Sequence, residues 1–164
     1  MYSLLALVLG FGIDLIVGDP HSIPHPVIFI GKLISAMEKL ARKIFPKTVK
    51  GENFAGGVLW FVVVAVSTAV PALLLWLCYG ISVWLGLAIE SVMCWQILAT
   101  KSLKDESMKV YDALKTGDIE KSRYAVSMIV GRDTENLDDK AVARAAVETV
   151  AENTSDGIVA PLSF

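Results

Sequence analysis

Hydrophobic and polar positions along this chain fall into long blocks with different periodicities. Residues 1–18 are apolar except for Ser3 and Asp14, with glycine recurring at Gly10, Gly12 and Gly18. From Asn53 to Ile89 stand 37 residues without an Asp, Glu, Lys, Arg or His. A helix needs about 20 apolar residues to cross a hydrocarbon core of roughly 30 Å. The long run therefore predicts two crossing helices, near 55–78 and 80–100, with Gly80 as the turn and Pro71 as a kink or alternative break. The first block is barely long enough to span, so it predicts a short crossing helix or a segment that enters the membrane at an angle.

Two polar sections flank the apolar run, 19–54 and 101–164. The first opens on Asp19-Pro20 and Pro24-His25-Pro26, which exclude regular helix because proline removes a donor and biases its predecessor towards extended geometry. From Val27 to Ile44 the pattern changes. Ile30, Leu33, Ile34, Met37, Leu40, Ala41 and Ile44 recur at helical spacing, with Lys32, Glu38, Lys39, Arg42 and Lys43 between them. This is an amphipathic helix with a basic face, suited either to an anionic leaflet or to packing on the rest of the protein. In the second section, Leu103–Lys115 reads as a helix ended by Gly117-Asp118, and Ile119–Val130 as another closed by Gly131. A third is expected with Asn136 as its cap and Asp138 and Asp139 in its first turn, running to about Asn153 and stopping before Gly157. Only Ile158-Val159 suggests a strand, and weakly. The expected class is an all-α, multi-pass membrane protein with amphipathic and cytoplasmic helices between the spans.

Charge supports that picture and adds direction. Charged residues make up 20% of the chain, yet the mean hydropathy is positive, because charge is segregated rather than scarce. A formal net charge of −2 gives no reason to expect nucleic acid. Lys32, Lys39, Arg42, Lys43, Lys47 and Lys50 precede the apolar run, and Lys101 and Lys104 follow it. By the bias of basic residues towards the inner side, both polar sections are expected in the cytoplasm and the chain in the inner membrane. Cys78 and Cys94 lack neighbours at metal-ligand spacing, so packing is their expected role. The start of the chain lacks the basic region and cleavage site of a signal peptide, so the first apolar block is expected to stay attached.

Candidate chemistry concentrates in the last third. Lys140, Arg144, Glu148 and Glu152 are spaced four apart, forming one stripe on a helix otherwise rich in Ala, Val and Thr. As a solvated face the stripe is poorly arranged, since basic residues precede acidic ones and the glutamates sit towards the negative end of the helix dipole. Small residues on the other faces imply close packing against neighbouring helices. Glu152-Asn153-Thr154-Ser155-Asp156-Gly157 follows, offering two carboxylates, an amide and two hydroxyls. Such hard oxygen ligands suit Mg²⁺, which takes one or two carboxylates beside substrate phosphate and waters. The plainer reading is a helix end with a glycine stop. In Gly131-Arg132-Asp133-Thr134, Arg132 can clamp a phosphate or carboxylate, and Thr134 can alternatively cap the next helix.

Near the first apolar block, Asp14, Asp19, His21 and His25 gather around three prolines. A carboxylate within a membrane segment is costly and usually faces the protein interior or a cavity. A substrate-lining or structural role is expected there ahead of a His/Asp metal site. The chain holds no P-loop, no dinucleotide fingerprint, no H-E-x-x-H and no G-x-S-x-G; any ATP is bound without a P-loop.

Together these blocks resemble one family, the adenosylcobinamide-phosphate synthases of cobalamin biosynthesis (CobD/CbiB). The resemblance rests on Asp14-Leu15-Ile16-Val17-Gly18-Asp19-Pro20, His25-Pro26-Val27, Ile30-Gly31-Lys32-Leu33-Ile34 and Ser127-Met128-Ile129-Val130-Gly131-Arg132-Asp133-Thr134 with Leu137. It is strongest over Ala143-Arg144-Ala145-Ala146-Val147-Glu148-Thr149-Val150-Ala151-Glu152-Asn153-Thr154-Ser155-Asp156-Gly157. It implies a multi-pass inner-membrane ligase that uses ATP and Mg²⁺ to join a propionate carboxylate of adenosylcobyric acid to aminopropanol or its phosphate. Other membrane enzymes of cobalamin assembly are implied as possible partners. Under that reading Glu152, Asn153 and Asp156 surround Mg²⁺, Arg132 and Arg144 hold phosphate, and Asp133 or Glu148 acts as base. Arg132, Arg144, Asp14, Asp19 and His25 are the substrate-binding set. The resemblance also implies that the chain is the N-terminal half of a longer enzyme, expected to be inactive by itself, with Ser163 where the family pattern has an aromatic residue. A non-catalytic regulatory or sensor membrane protein related to the synthases is the alternative reading.

Overall fold

A computed structural model describes residues 2–20 and 23–163. Among them every regular element is helical. The order is α1 (Tyr2–Val17), α2 (Pro26–Ile44), α3 (Val49–Ile81), α4 (Val83–Ile97), α5 (Thr100–Thr116), α6 (Ile119–Ser127), α7 (Asp139–Thr154), a π-helical turn (Ser155–Val159) and α8 (Ala160–Ser163). Contacts divide the chain into two units, residues 1–20 with 91–164, and residues 21–90.

In the second unit, α3 carries the charge-free run as far as Ile81 within one continuous helix of 33 residues. At 1.5 Å per residue that is about 50 Å, more than a bilayer core requires. Its most apolar window has no residue buried against protein. Trp60, Phe61, Leu73 and Trp76 all lie exposed, a surface that lipid stabilises and water does not. The expected break at Gly80 or Pro71 is not where the chain turns. Pro71 sits inside the helix, as proline can in a membrane segment, and the interruption falls at Ser82, whose backbone is extended at φ −160° and ψ 139°. Across it the Tyr79 ring of α3 lies against Gly86 of α4, where a Cβ would collide with it, and the Tyr79 hydroxyl donates to Glu90. Val83–Thr116, which combines α4 and α5, is the other helical stretch long and apolar enough to cross a membrane.

In the first unit, α5, α6 and α7 pack around Val110, Val126, Val142 and Ala145. Gly117, at φ 73°, closes α5 in the left-handed conformation that favours glycine. Asp118 then caps α6, accepting from the Lys121 amide at 3.1 Å. The sequence expectation for α7 needs correcting at both ends. Asp138, not Asn136, is the cap, accepting from the Ala141 amide at 2.8 Å. Gly157 does not stop the helix, which continues through the π-helical turn into α8; Ile158 and Val159 belong to that turn and not to a strand. Thr134 caps nothing: it is buried, and its hydroxyl donates to the Arg123 carbonyl at 3.2 Å.

The short α1 joins this unit through a stripe at four-residue spacing, Ala6, Gly10 and Asp14, which are its buried residues. Small residues at this spacing let helix backbones approach closely. A Cβ on Gly10 would stand 2.6 Å from the Cys94 Cβ and 2.8 Å from the Ser91 carbonyl oxygen.

Candidate functional site

Helix α7 forms because Asp138 caps it, Asp139 favours its first turn, and Val142 and Ala145 supply an inward face one turn apart. Its outward face carries the charged stripe. Within that stripe the Arg144 Nε donates to Glu148 Oε1 at 2.8 Å. The other carboxylate oxygen, Oε2, accepts from Arg132 Nη2 at 3.1 Å. Glu148 therefore sits between two guanidinium groups, one from its own helix and one from the loop before it. All three side chains are about half exposed or more. The hydrogen bond from Arg144, then that from Arg132, holds the Glu148 carboxyl below the ordinary glutamate range. A carboxylate so held is a weak proton acceptor and a strong positioning group. Lys140 and Glu152, the two ends of the stripe, have no ion-pair partner among the described residues.

The loop that delivers Arg132 is fixed from below. Arg123 Nε donates to the Leu137 carbonyl at 2.8 Å, and Thr134 bonds back to Arg123. Beside the loop lies an open cavity of about 660 Å³ lined by Tyr124, Arg132, Asp133 and Thr134 among others. Asp133 is exposed, with its Oδ1 accepting from the Glu135 amide at 3.0 Å.

Along α7, Glu152, Asn153 and Asp156 are exposed. The Asn153 Nδ2 donates to the Thr149 carbonyl at 2.9 Å, which leaves its Oδ1 as an acceptor. Glu152 and Asp156 make no side-chain hydrogen bond or ion pair among the described residues. No group of three or more His, Cys, Asp or Glu side chains is poised for a metal among the described residues. Two unpaired carboxylates with an amide oxygen nonetheless fit the donor chemistry of Mg²⁺, which keeps several waters and rarely takes an all-protein cage. Arg132, Arg144 and the unpaired Lys140 are the cations on and beside this face.

The remaining predicted residues are placed elsewhere. Asp14 is fully buried, and its Oδ2 accepts from the Thr100 amide at 2.8 Å. Thr100 opens α5, whose flanking residue Ala99 provides no side-chain cap, so Asp14 supplies the cap from another helix. Its Oδ1 and the Thr100 hydroxyl are buried without a partner. Asp19 is exposed, and its amide donates to the Ser102 hydroxyl at 3.1 Å. His25 belongs to the other unit and caps α2, its Nδ1 accepting from the Val27 amide at 3.2 Å. His21 lies outside the described residues.

Three residues with no periodic or motif signal complete the junction of α1 with α4 and α5. The Trp95 indole donates to the Gly18 carbonyl at 2.8 Å, the Lys101 ammonium donates to the Ile16 carbonyl, and Ser102 holds Asp19. The pairing follows dipole logic, a cation on the carbonyl end of α1 and an anion on the amide end of α5. Only the basic residues after a span, Lys101 among them, were visible beforehand, and there as a topology signal.

The sequence profile of the CobD/Cbib protein family matches residues 7–164. A Clostridium perfringens protein named cobalamin biosynthesis protein CobD is 45% identical over 161 residues, 98% of this chain and 50% of the relative. The Klebsiella pneumoniae protein of the same name is 42% identical over 162 residues, 99% of this chain and 50% of its own. Cobalamin biosynthesis protein CbiB of Salmonella typhimurium is 41% identical over 162 residues, with the same coverage. The chain thus spans about half the length of the curated relatives it matches. No solved structure matches it.

Proposed function

The chain belongs to the CobD/Cbib family, and from that premise we propose that it acts in cobalamin biosynthesis as part of an adenosylcobinamide-phosphate synthase. The reaction would join a propionate carboxylate of adenosylcobyric acid to the amine of aminopropanol or its phosphate. The relatives' names support the pathway. The observation that carries the chemistry is the Glu148 carboxylate held between Arg132 and Arg144 beside the cavity that Asp133 lines.

An amide cannot form directly from a carboxylate, because oxide is too poor a leaving group. Phosphorylation of the carboxylate by ATP, with ADP leaving, gives an acyl phosphate; attack of the amine on its carbonyl carbon then expels phosphate. Arg132 and Arg144 are suited to the phosphate oxygens, being planar donors held in register by Glu148. Asp133 is the better base for the proton that the amine loses, since Glu148 is engaged by both guanidiniums. A bound Mg²⁺, held by Glu152, Asn153 and Asp156, would neutralise charge on the transferring phosphate. Asp14 keeps a structural place in this reading, as the cap of α5, while Asp19 and His25 remain the exposed and part-exposed polar groups near the first apolar block.

The proposed location is the cell's inner membrane, crossed more than once, with sections 19–54 and 101–164 in the cytoplasm, where corrinoid, amine and ATP are available. The basic residues at both ends of the charge-free run support that orientation. Complementation tests the whole reading. A strain blocked between cobyric acid and cobinamide should regain cobinamide formation when given this chain, alone or joined to the remaining half of the Clostridium perfringens relative. Failure of both, with the protein present in the membrane, would overturn the assignment. Normal function of the Asp156→Ala variant would remove Asp156 from the Mg²⁺ site.

A further inference from the structure

We propose that α2 lies in the headgroup layer of the membrane and recruits anionic phospholipid. The inference deepens the membrane placement above and rests on α3 being a span.

No residue of α2 is buried, although Phe29, Ile34, Leu40 and Ile44 on its apolar side are exposed. At 100° per residue these four fall on one side of the helix with Leu33 and Met37, and Lys32, Lys39 and Lys43 fall on the other. Ile30, Leu33, Met37 and Ala41 on the same side are only part-buried, and an apolar face left partly open along a 19-residue helix requires a nonaqueous neighbour.

The elbow with α3 fixes where that neighbour must be. Phe45 ends α2 in an extended conformation, and the Thr48 hydroxyl caps α3 by accepting from the Gly51 amide at 3.2 Å. Across the elbow the Phe45 and Phe54 rings meet edge to face, 5.6 Å apart. The last turn of α2 is therefore pinned to the first turns of α3, just where α3 passes from Lys50 and Glu52 into its charge-free run. That boundary is the headgroup level, and the last turn of α2 is held there.

Charge then selects the lipid. From α2 through the start of α3 there are six basic residues against two acidic ones, Glu38 and Glu52. Glu38 is paired with Arg42 at 2.7 Å, whereas Lys32, Lys39, Lys43 and Lys47 have no ion-pair partner among the described residues. A lysine on such a helix can extend its ammonium to phosphate while its stem covers apolar surface. The elbow also holds an open cavity of about 410 Å³ whose rim carries Glu38, Arg42, Lys47 and Glu52 over an apolar wall of Phe45 and Leu59. Its charge is balanced, so the anionic preference rests on the unpaired lysines along α2.

The test uses the chain in nanodiscs of phosphatidylcholine mixed with phosphatidylglycerol. A spin label at Leu40→Cys, in a Cys78→Ala/Cys94→Ala background, should be accessible to dissolved oxygen and shielded from a water-soluble nickel chelate. Access to nickel would put the face in water, and shielding from both would mean that protein covers it; either result overturns the proposal. Lipid co-purified with the chain should be enriched in phosphatidylglycerol, and Lys32→Gln/Lys39→Gln/Lys43→Gln should cut that enrichment by at least about fivefold, from the roughly fivefold expected of one basic residue near an anionic surface. Unchanged enrichment would overturn the anionic preference. Resistance of the chain to alkaline carbonate extraction tests the span itself, so failure of that premise is distinguishable from failure of α2 docking.

Discussion

The Asp14 carboxylate accepts the Thr100 amide hydrogen bond at 2.8 Å across 86 positions of sequence, and so caps α5 from inside α1. The neighbouring contacts of Trp95, Lys101 and Ser102 with the end of α1 make this one junction and not an isolated bond. It gives the first apolar block a fixed attachment to α5, which packs in turn against the helix that carries Glu148.

Asp14→Ala should therefore destabilise the chain. Losing a helix cap costs about 0.5–2 kcal/mol, and a void in a fully buried position adds to it. Asp14→Asn keeps an acceptor and should lose less. Thermal unfolding in detergent, followed by circular dichroism, orders the three proteins; an Ala variant as stable as the parent would remove the cap from the account.

Gly10 should be intolerant of any side chain, because the Cβ would meet Cys94 and the backbone of Ser91 and Trp95. Overpacking of this kind costs about 1–3 kcal/mol. Gly12→Ala, with nothing within 4 Å of the added Cβ, is the matched control and should be close to neutral. Equal loss in the two variants would contradict the close approach of α1.

Helix α7 should be sensitive on one face only. Val142 is 0% exposed and Val147 is 69% exposed. Val142→Ala removes two buried methyl groups at about 0.8 kcal/mol for each, plus any cavity left behind, whereas Val147→Ala should leave the unfolding midpoint nearly unchanged.

The Glu148 carboxyl should titrate below an ordinary glutamate, whose reference value is about 4.3. The sign follows from the depressed value in the folded chain. The bridge to Arg144 and Arg132 contributes fully above the unfolded value and is lost as pH falls through the lower folded one. The group is solvent-exposed, so the effect on stability is small; carbon-detected NMR titration of the side chain is the measurement. Arg144→Gln should raise the Glu148 value more than Arg132→Gln, matching the order of the two causes.

Much of this architecture was legible in the residues alone, for a local reason. Charge-free length specifies a span, and apolar spacing specifies the inward face of α7, since both depend on neighbours within a turn or two. The stripe from Lys140 to Glu152 was visible on the same ground. Cap and stop positions were less secure: Asn136 and Asp138 both have capping chemistry, and only the packing of Val142 and Ala145 against α5 and α6 decides which of them starts the helix. Pro71, Gly80 and Gly157 can each end a helix, yet the chain continues through all three.

By itself, then, the sequence determined an all-helical chain with two stretches apolar enough to cross a membrane and a charged stripe on α7. Tertiary structure alone decided that Arg132 reaches Glu148 from a different segment and that Asp14 caps α5. Both depend on which surfaces pack together, and a hydrogen bond spanning 16 or 86 positions has no local periodicity to announce it.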